Sequence, residues 1–168
     1  MKQKTIVLKD GTVIPVRPIQ PEDKEALKRL HSRISDTSIH LRFHGSIREL
    51  SDRQASYFAQ VDEEKYLALV AWDPFNSKEI IAVVSFQRED NQTDRAEYSA
   101  IVEDYWQGRG IGLALTNMLI DEARERGIHY FYELVLPENR RMLNFFKDLH
   151  LPEYERNEGS TKYVEVAL

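Results

Sequence analysis

In TIVLKDGTVIPVRPI, apolar and polar positions alternate on both sides of Asp10-Gly11. Period-two alternation across an Asp-Gly pair predicts a β-hairpin. Pro15 in the second arm predicts an edge strand, because proline has no N–H to offer a second neighbour. In PEDKEALKRLHSRI the period lengthens: Pro21 stands at a helix start, and Ala26, Leu27, Leu30 and Ile34 recur at helical spacing. A short helix is expected around SIHLRF, within the less regular region from Ser35 to Glu49. Ser51 reads as the N-cap of a helix in DRQASYFAQV. Beyond Asp62 the pattern returns to strands, KYLALVAWD, EIIAVVSFQRE and AEYSAIVED, joined by the turn formers of PFNS and DNQTD. A glycine-rich stretch leads into a helix from about Gly110 to Arg126, closed by Arg124, Arg126 and Gly127. A strand HYFYELVL, a helix ENRRMLNFFKDL and a terminal stretch TKYVEVAL complete the chain.

Helices, an antiparallel meander and a strand-helix-strand unit, in that order, imply an α+β (mixed α/β) class with a mixed sheet. At 168 residues, with no repeat, linker or low-complexity segment, residues 1–168 are expected to form one domain. The chain is 42% hydrophobic and 30% charged, as soluble globular proteins are, and holds no apolar run near the roughly 20 residues that cross a bilayer. MKQKTIVLKDG lacks the apolar core of a signal peptide, so a cytoplasmic location without membrane partners is expected. The absence of cysteine excludes disulfides, thiolate metal sites and a cysteine acyl-enzyme. A net charge of −5 argues against a nucleic-acid partner.

Gly108, Gly110 and Gly112, three of the chain's seven glycines, fall within five positions in DYWQGRGIGLALTNML. They lie between a strand and a helix, where unpaired backbone N–H groups and the helix dipole attract phosphate and glycine lets it come close. A Walker A loop is set aside, because no Lys-Ser or Lys-Thr follows. The dinucleotide fingerprint GxGxxG fails on spacing, and Glu133, at the distance where it wants an acid, lies mid-strand. The pattern Q/R-x-x-G-x-G/A is filled by Gln107, Gly110 and Gly112. Here the sequence resembles the GNAT N-acetyltransferase superfamily, in which this motif binds the diphosphate of acetyl-coenzyme A.

The resemblance extends along nearly the whole chain. VRPIQPEDKEAL is similar to the superfamily's opening strand and first helix, and PENRRMLNFF to its later helix, whose asparagine, here Asn139, contacts the cofactor. SDTSIHLRFHG, LSDRQ and VDEEKYLALVA resemble the acetyltransferase domain of bacterial Pat-type protein lysine acetyltransferases, and the domain is expected to stand alone, without the large partner domain often fused to it. The resemblance implies a GNAT fold, a strongly twisted mixed sheet of about six or seven strands with helices on both faces. It also implies acetyl-CoA as cosubstrate, held by Ile101, Val102, Gln107, Gly108, Arg109, Gly110, Ile111, Gly112 and Asn139, with no metal.

An amine attacks a thioester only when neutral, and a lysine of pKa ~10.4 is neutral roughly once in 2,500 molecules at pH 7. A nearby base therefore raises the reactive population and takes the released proton. The resemblance assigns this role to Glu97, ten residues before Gln107, where partial burial is expected to tune it. Glu103 and Asp104 are the alternates. The backbone N–H of Val102 is expected to polarise the thioester carbonyl, and Arg109 to meet a phosphate. Many superfamily members place a tyrosine seven residues after the asparagine as acid for the leaving thiolate. Here that position is Phe146, and His150-Leu151 replaces the usual Gly-Phe that follows.

His40 and His44 stand at i, i+4, but without an HExxH glutamate or an evident third ligand they read as surface and packing histidines. Arg42-Phe43 fits the Pat-like signature, which either a buried structural arginine or an acceptor-channel residue would explain. The aromatics of YFAQVDEEKY and NFFKDL read as core. Three functions are compatible with these features: acetylation of a protein lysine, which the resemblance favours, acetylation of a small amine, and acyl-CoA binding without turnover. A homodimer through the KDGTV hairpin and a hairpin that merely covers the core are both compatible with the sequence.

Overall fold

The computed structural model describes residues 1–35, 49–62 and 64–168. The helix expected around SIHLRF, and with it His40, Arg42, Phe43 and His44, lies outside the described residues. One mixed sheet runs in the order β1-β2-β3-β4-β5-β6-β8-β7. Its strands are β1 (Lys4–Val7), β2 (Val13–Pro18), β3 (Tyr66–Trp72), β4 (Ile80–Arg88), β5 (Arg95–Val102), β6 (Tyr130–Val135), β7 (Glu153–Glu158) and β8 (Thr161–Ala167). The helices among the described residues are α1 (Lys24–Ser32), α2 (Asp52–Phe58), α3 (Ile111–Glu125) and α4 (Arg140–Asp148). Eight strands stand where six or seven were expected. The additional strand is β7, whose EYERNE is exposed along almost its whole length and so carries no apolar alternation.

Pro15 does not make β2 an edge, since β1 and β3 flank it. The ladder to β3 begins only at Val16, however, so at Pro15 the strand pairs with β1 alone, through Thr5. A proline is tolerated there for the same reason it is tolerated at an edge. Ser51 caps α2 as expected: its hydroxyl accepts from the Gln54 N–H at 3.1 Å, and the Gln54 side chain accepts from the Ser51 N–H at 2.9 Å.

The sheet separates two apolar layers. α3 and α4 bury Ile111, Leu115, Leu119 and Phe146 against Val84, Phe86 and Tyr98 on one face. α1 buries Ala26, Leu27 and Leu30 against Tyr66, Ala68 and Val70 on the other. Arg33 follows α1 and fastens it to the sheet, donating to Glu79 at 2.7 Å, to the Ile80 carbonyl at 2.7 Å and to Glu103 at 3.1 Å.

Every strand pairing is antiparallel except β5 with β6. That parallel ladder spans only Arg95–Glu97 against Tyr130–Tyr132, whereas β5 stays paired with β4 through Val102 and β6 with β8 through Val135. Beyond Glu97 the two strands therefore diverge, each held by its outer neighbour. The divergence opens a groove in the middle of the sheet.

Candidate active site

The groove has a volume of about 660 Å³ and is walled by β5, the loop after it, the start of α3, and α4. Its loop is shaped by glycine. Gly108 has φ 75° and Gly110 φ 85°, left-handed values costly for other residues, and Gly110 is the N-cap of α3. The first bond of α3 runs from the Ala114 N–H to the Gly110 carbonyl at 3.1 Å. The N–H groups of Ile111, Gly112 and Leu113 therefore have no partner within the helix, and all three residues line the groove. A Cβ on Gly112 would sit 3.5 Å from Val102 Cγ2 and 3.8 Å from Phe145 Cε2, two groove walls. Glycine thus leaves open a strip that a side chain would fill.

Gln107 holds the loop in place. Its Nε2 donates to the Val102 carbonyl at 2.9 Å, and its Oε1 accepts from Arg141 of α4. Alternation along β5 divides the remaining roles. Tyr98, Ala100 and Val102 lean toward α3 and α4, while Ser99 and Ile101 face the α1 side, where they join Leu27, Leu30 and Phe58 around a small cavity. Glu97 shares the face of Ser99, opposite Gln87 of β4 and Tyr132 of β6. The Glu103 N–H donates to Ile81 of β4, so by alternation the N–H groups of Ala100 and Val102 point away from β4, toward the groove.

Glu97 is exposed, not partly buried as expected, because it stands at the last rung before β5 and β6 part. Beside it, Tyr132 donates its hydroxyl to Glu89. Burial first, then that hydrogen bond and the negative charges of Glu89 and Glu97, push the Tyr132 phenol well above its ordinary pKa. Of the alternates, Glu103 is held by Arg33, whereas Asp104 lines the groove and accepts from the Ser35 N–H at 3.3 Å.

Ile101, Val102, Gln107, Gly108, Gly110, Ile111, Gly112 and Asn139 all come together around this groove. Asn139 also caps α4, its Oδ1 accepting from the Met142 N–H at 3.1 Å. Arg109 is not among the lining residues. Its guanidinium lies 4.6 Å from the ring of Tyr105 and 4.8 Å from that of Trp106. Phe146 is packed against Tyr98 and Phe145 in the core and does not line the groove. Its neighbour Phe145 does, so the aromatics of NFFKDL serve both the core and the groove wall. Sequence reasoning did not single out Arg141, Met142 or Ala100, and it met Glu133 only as an argument against another motif. Glu133 is buried on β6 and lines the groove.

The family model described as "Acetyltransferase (GNAT) family" matches residues 30–151. The chain belongs to the GNAT acetyltransferase family. It is similar to the GNAT domain of the S. lividans PAT, with a TM-score of 0.90 and 32% identity over 99% of this chain and 97% of that one. It is 28% identical to an acetyltransferase of Pseudomonas aeruginosa over 135 residues, 80% of this chain and 73% of that protein. It is 29% identical to the acetyltransferase Pat of Mycolicibacterium smegmatis over 137 residues, 82% of this chain but 40% of the relative. GNAT acetyltransferases draw their acyl group from acetyl-CoA, and this GNAT protein is an acyl-CoA-dependent N-acetyltransferase. The residues present fit that cosubstrate: free helix amides for a diphosphate, a glycine strip, and an apolar wall of Val102, Met142 and Phe145 for a pantetheine arm. No helix among the described residues is long and apolar enough to cross a membrane.

Proposed function

We propose that this acetyltransferase transfers acetyl from acetyl-CoA directly to the Nζ of a lysine on a protein, with Glu97 as general base. One observation carries the base assignment. Glu97 does not line the groove itself; it stands exposed on the face of β5 that it shares with Ser99, at the last rung before the strands part. A thioester lying between the strands is then within reach of an amine arriving from that face. The Pat-like signatures in the sequence, and the likeness to PAT and Pat, support a protein lysine as acceptor.

The neutral amine attacks the thioester carbon, the C–S bond breaks, and the amine's proton passes to the Glu97 carboxylate, directly or through a water. The groove-facing N–H of Val102 stabilises the oxyanion as it forms. A thiol has a pKa near ~8.5, so coenzyme A departs as thiolate without a dedicated acid, in keeping with the burial of Phe146. The test is thiol release from acetyl-CoA in the presence of a lysine-containing acceptor protein. Wild type should release thiol only when an acceptor is added, and Glu97→Gln should lower kcat by about 10²- to 10⁴-fold with the Kd for CoA little changed. A variant that keeps full kcat removes Glu97 from the mechanism.

A further inference from the structure

The ligand this groove takes carries a diphosphate, yet the described residues that line it include three carboxylates, Asp104, Glu133 and Asp148, and a single cation, Arg141. Backbone amides at α3 supply partial positive charge, but carboxyl groups along the described wall offer phosphate no partner. The cation suggested by the sequence motif, Arg109, is turned away. It stacks on Tyr105 and Trp106. Its charge reaches the β1–β2 hairpin, where Asp10 is held low chiefly by the Thr12 N–H and Arg109 adds to the effect.

Arg141 is placed differently. It is the second residue of α4, is exposed, and forms no ion pair among the described residues. One of its N–H groups donates to Gln107 Oε1. Gln107 is itself fixed to the Val102 carbonyl and immediately precedes the glycine turn. This bond ties the planar fork to the residue that precedes the glycine turn, in the groove that Ile111, Gly112 and Leu113 also line, and leaves further donors for an oxyanion.

We infer that Arg141, rather than Arg109, is the side-chain cation that binds the cosubstrate's diphosphate, with Gln107 positioning its guanidinium. The inference rests on the acetyl-CoA reading of the groove and adds a binding residue to it. The diphosphate is chosen over the 3′-phosphate because the anchor of Arg141 is the residue before the glycine loop. Phosphates gain charge-assisted, fork-like bonds from arginine that a lysine ammonium reproduces only in part.

The test titrates CoA and dephospho-CoA, which lacks the 3′-phosphate, into wild type, Arg141→Gln, Arg141→Lys and Arg109→Gln by calorimetry at several salt concentrations. Arg141→Gln should weaken both ligands by the same factor, about ten- to thirtyfold, and flatten the dependence of Kd on salt. Loss of packing alone would not change that salt slope. Arg141→Lys should recover part of the affinity, and Arg109→Gln should stay within about threefold of wild type. A loss confined to CoA would assign Arg141 to the 3′-phosphate and overturn the proposal. Unchanged binding by Arg141→Gln, an unchanged salt slope, or a larger loss in Arg109→Gln would overturn it as well. Wild-type protein that binds neither ligand would instead refute the acetyl-CoA reading itself, a distinguishable result.

Discussion

Alanine at Gly110 and alanine at Gly112 should shift stability in opposite directions, although the two glycines are two residues apart in one motif. Gly110 caps α3 at φ 85° and ψ 4°. A left-handed conformation costs an L-residue roughly 1–2 kcal/mol, offset by about 0.4–1 kcal/mol from the stiffer unfolded chain. The net loss is about 1 kcal/mol. Gly112 lies in the first turn of α3 without a positive φ, and its new methyl would meet Val102 and Phe145 at ordinary contact distances of 3.5 and 3.8 Å. Alanine exceeds glycine by about 0.8–1 kcal/mol in a helix interior. Near the helix start roughly half of that is expected, since fewer intrahelical bonds depend on the residue. For a chain of this size each kcal/mol moves Tm by about 2–4 °C. Gly110→Ala should therefore lower Tm by about 2–4 °C and Gly112→Ala raise it by about 1–2 °C, measured by thermal unfolding followed by circular dichroism. Gly110→Ala should also weaken CoA binding, because relaxing φ turns the amides of Ile111 and Gly112. A Gly110→Ala protein as stable as wild type, or a Gly112→Ala protein less stable, would refute the assigned backbone roles.

Two further outcomes follow from buried groups. Phe146→Tyr would restore the tyrosine that many GNAT enzymes carry, but it would place a hydroxyl in the core beside Tyr98 and Phe145. It should leave kcat no higher and lower Tm, at a cost of about 1–3 kcal/mol for an unsatisfied buried hydroxyl; a gain in kcat would show that Phe146 reaches the reacting groups. Glu153 has its carboxyl pKa raised, first by burial and then by the hydrogen bond and charge of Glu155, with Lys147 opposing. The folded chain thus holds this proton to higher pH than the unfolded chain, so stability is greatest below the unfolded carboxyl pKa and falls as pH rises through the folded one. Glu153→Gln should raise Tm at pH 8 and lose that advantage by pH 4; equal Tm values at both pH values would remove the effect.

The parts of the fold that bury apolar surface were readable along the chain, because burial imposes a period. β3, β4, β5 and β6 stand where apolar runs predicted strands, and α3 begins one residue after Gly110. β7 escaped because nearly all of it is exposed, and Pro15 misled because the strand's pairing changes along its length. The groove was readable at its glycine loop, where backbone conformation demands particular residues. Its opposite wall was not. Arg141, Met142 and Phe145 line the groove because α4 packs its aromatics on Tyr98 of β5, a juxtaposition that local spacing does not encode. The turning of Arg109 onto Tyr105 and Trp106 is likewise a contact between close neighbours whose direction the motif left open. Glu97 was placed on the right strand, but its exposure depends on where two strands separate.

The central claim is that acetyl passes from acetyl-CoA to protein lysines with Glu97 taking the proton. It is tested most directly by incubating wild type and Glu97→Gln with acetyl-labelled acetyl-CoA in a lysate of the host cell, then measuring label in protein and in small molecules. Label should enter protein with wild type and fall at least a hundredfold, about the lower bound for loss of a general base, with Glu97→Gln. Label confined to small molecules, or protein label that is equal for both enzymes, would contradict the account.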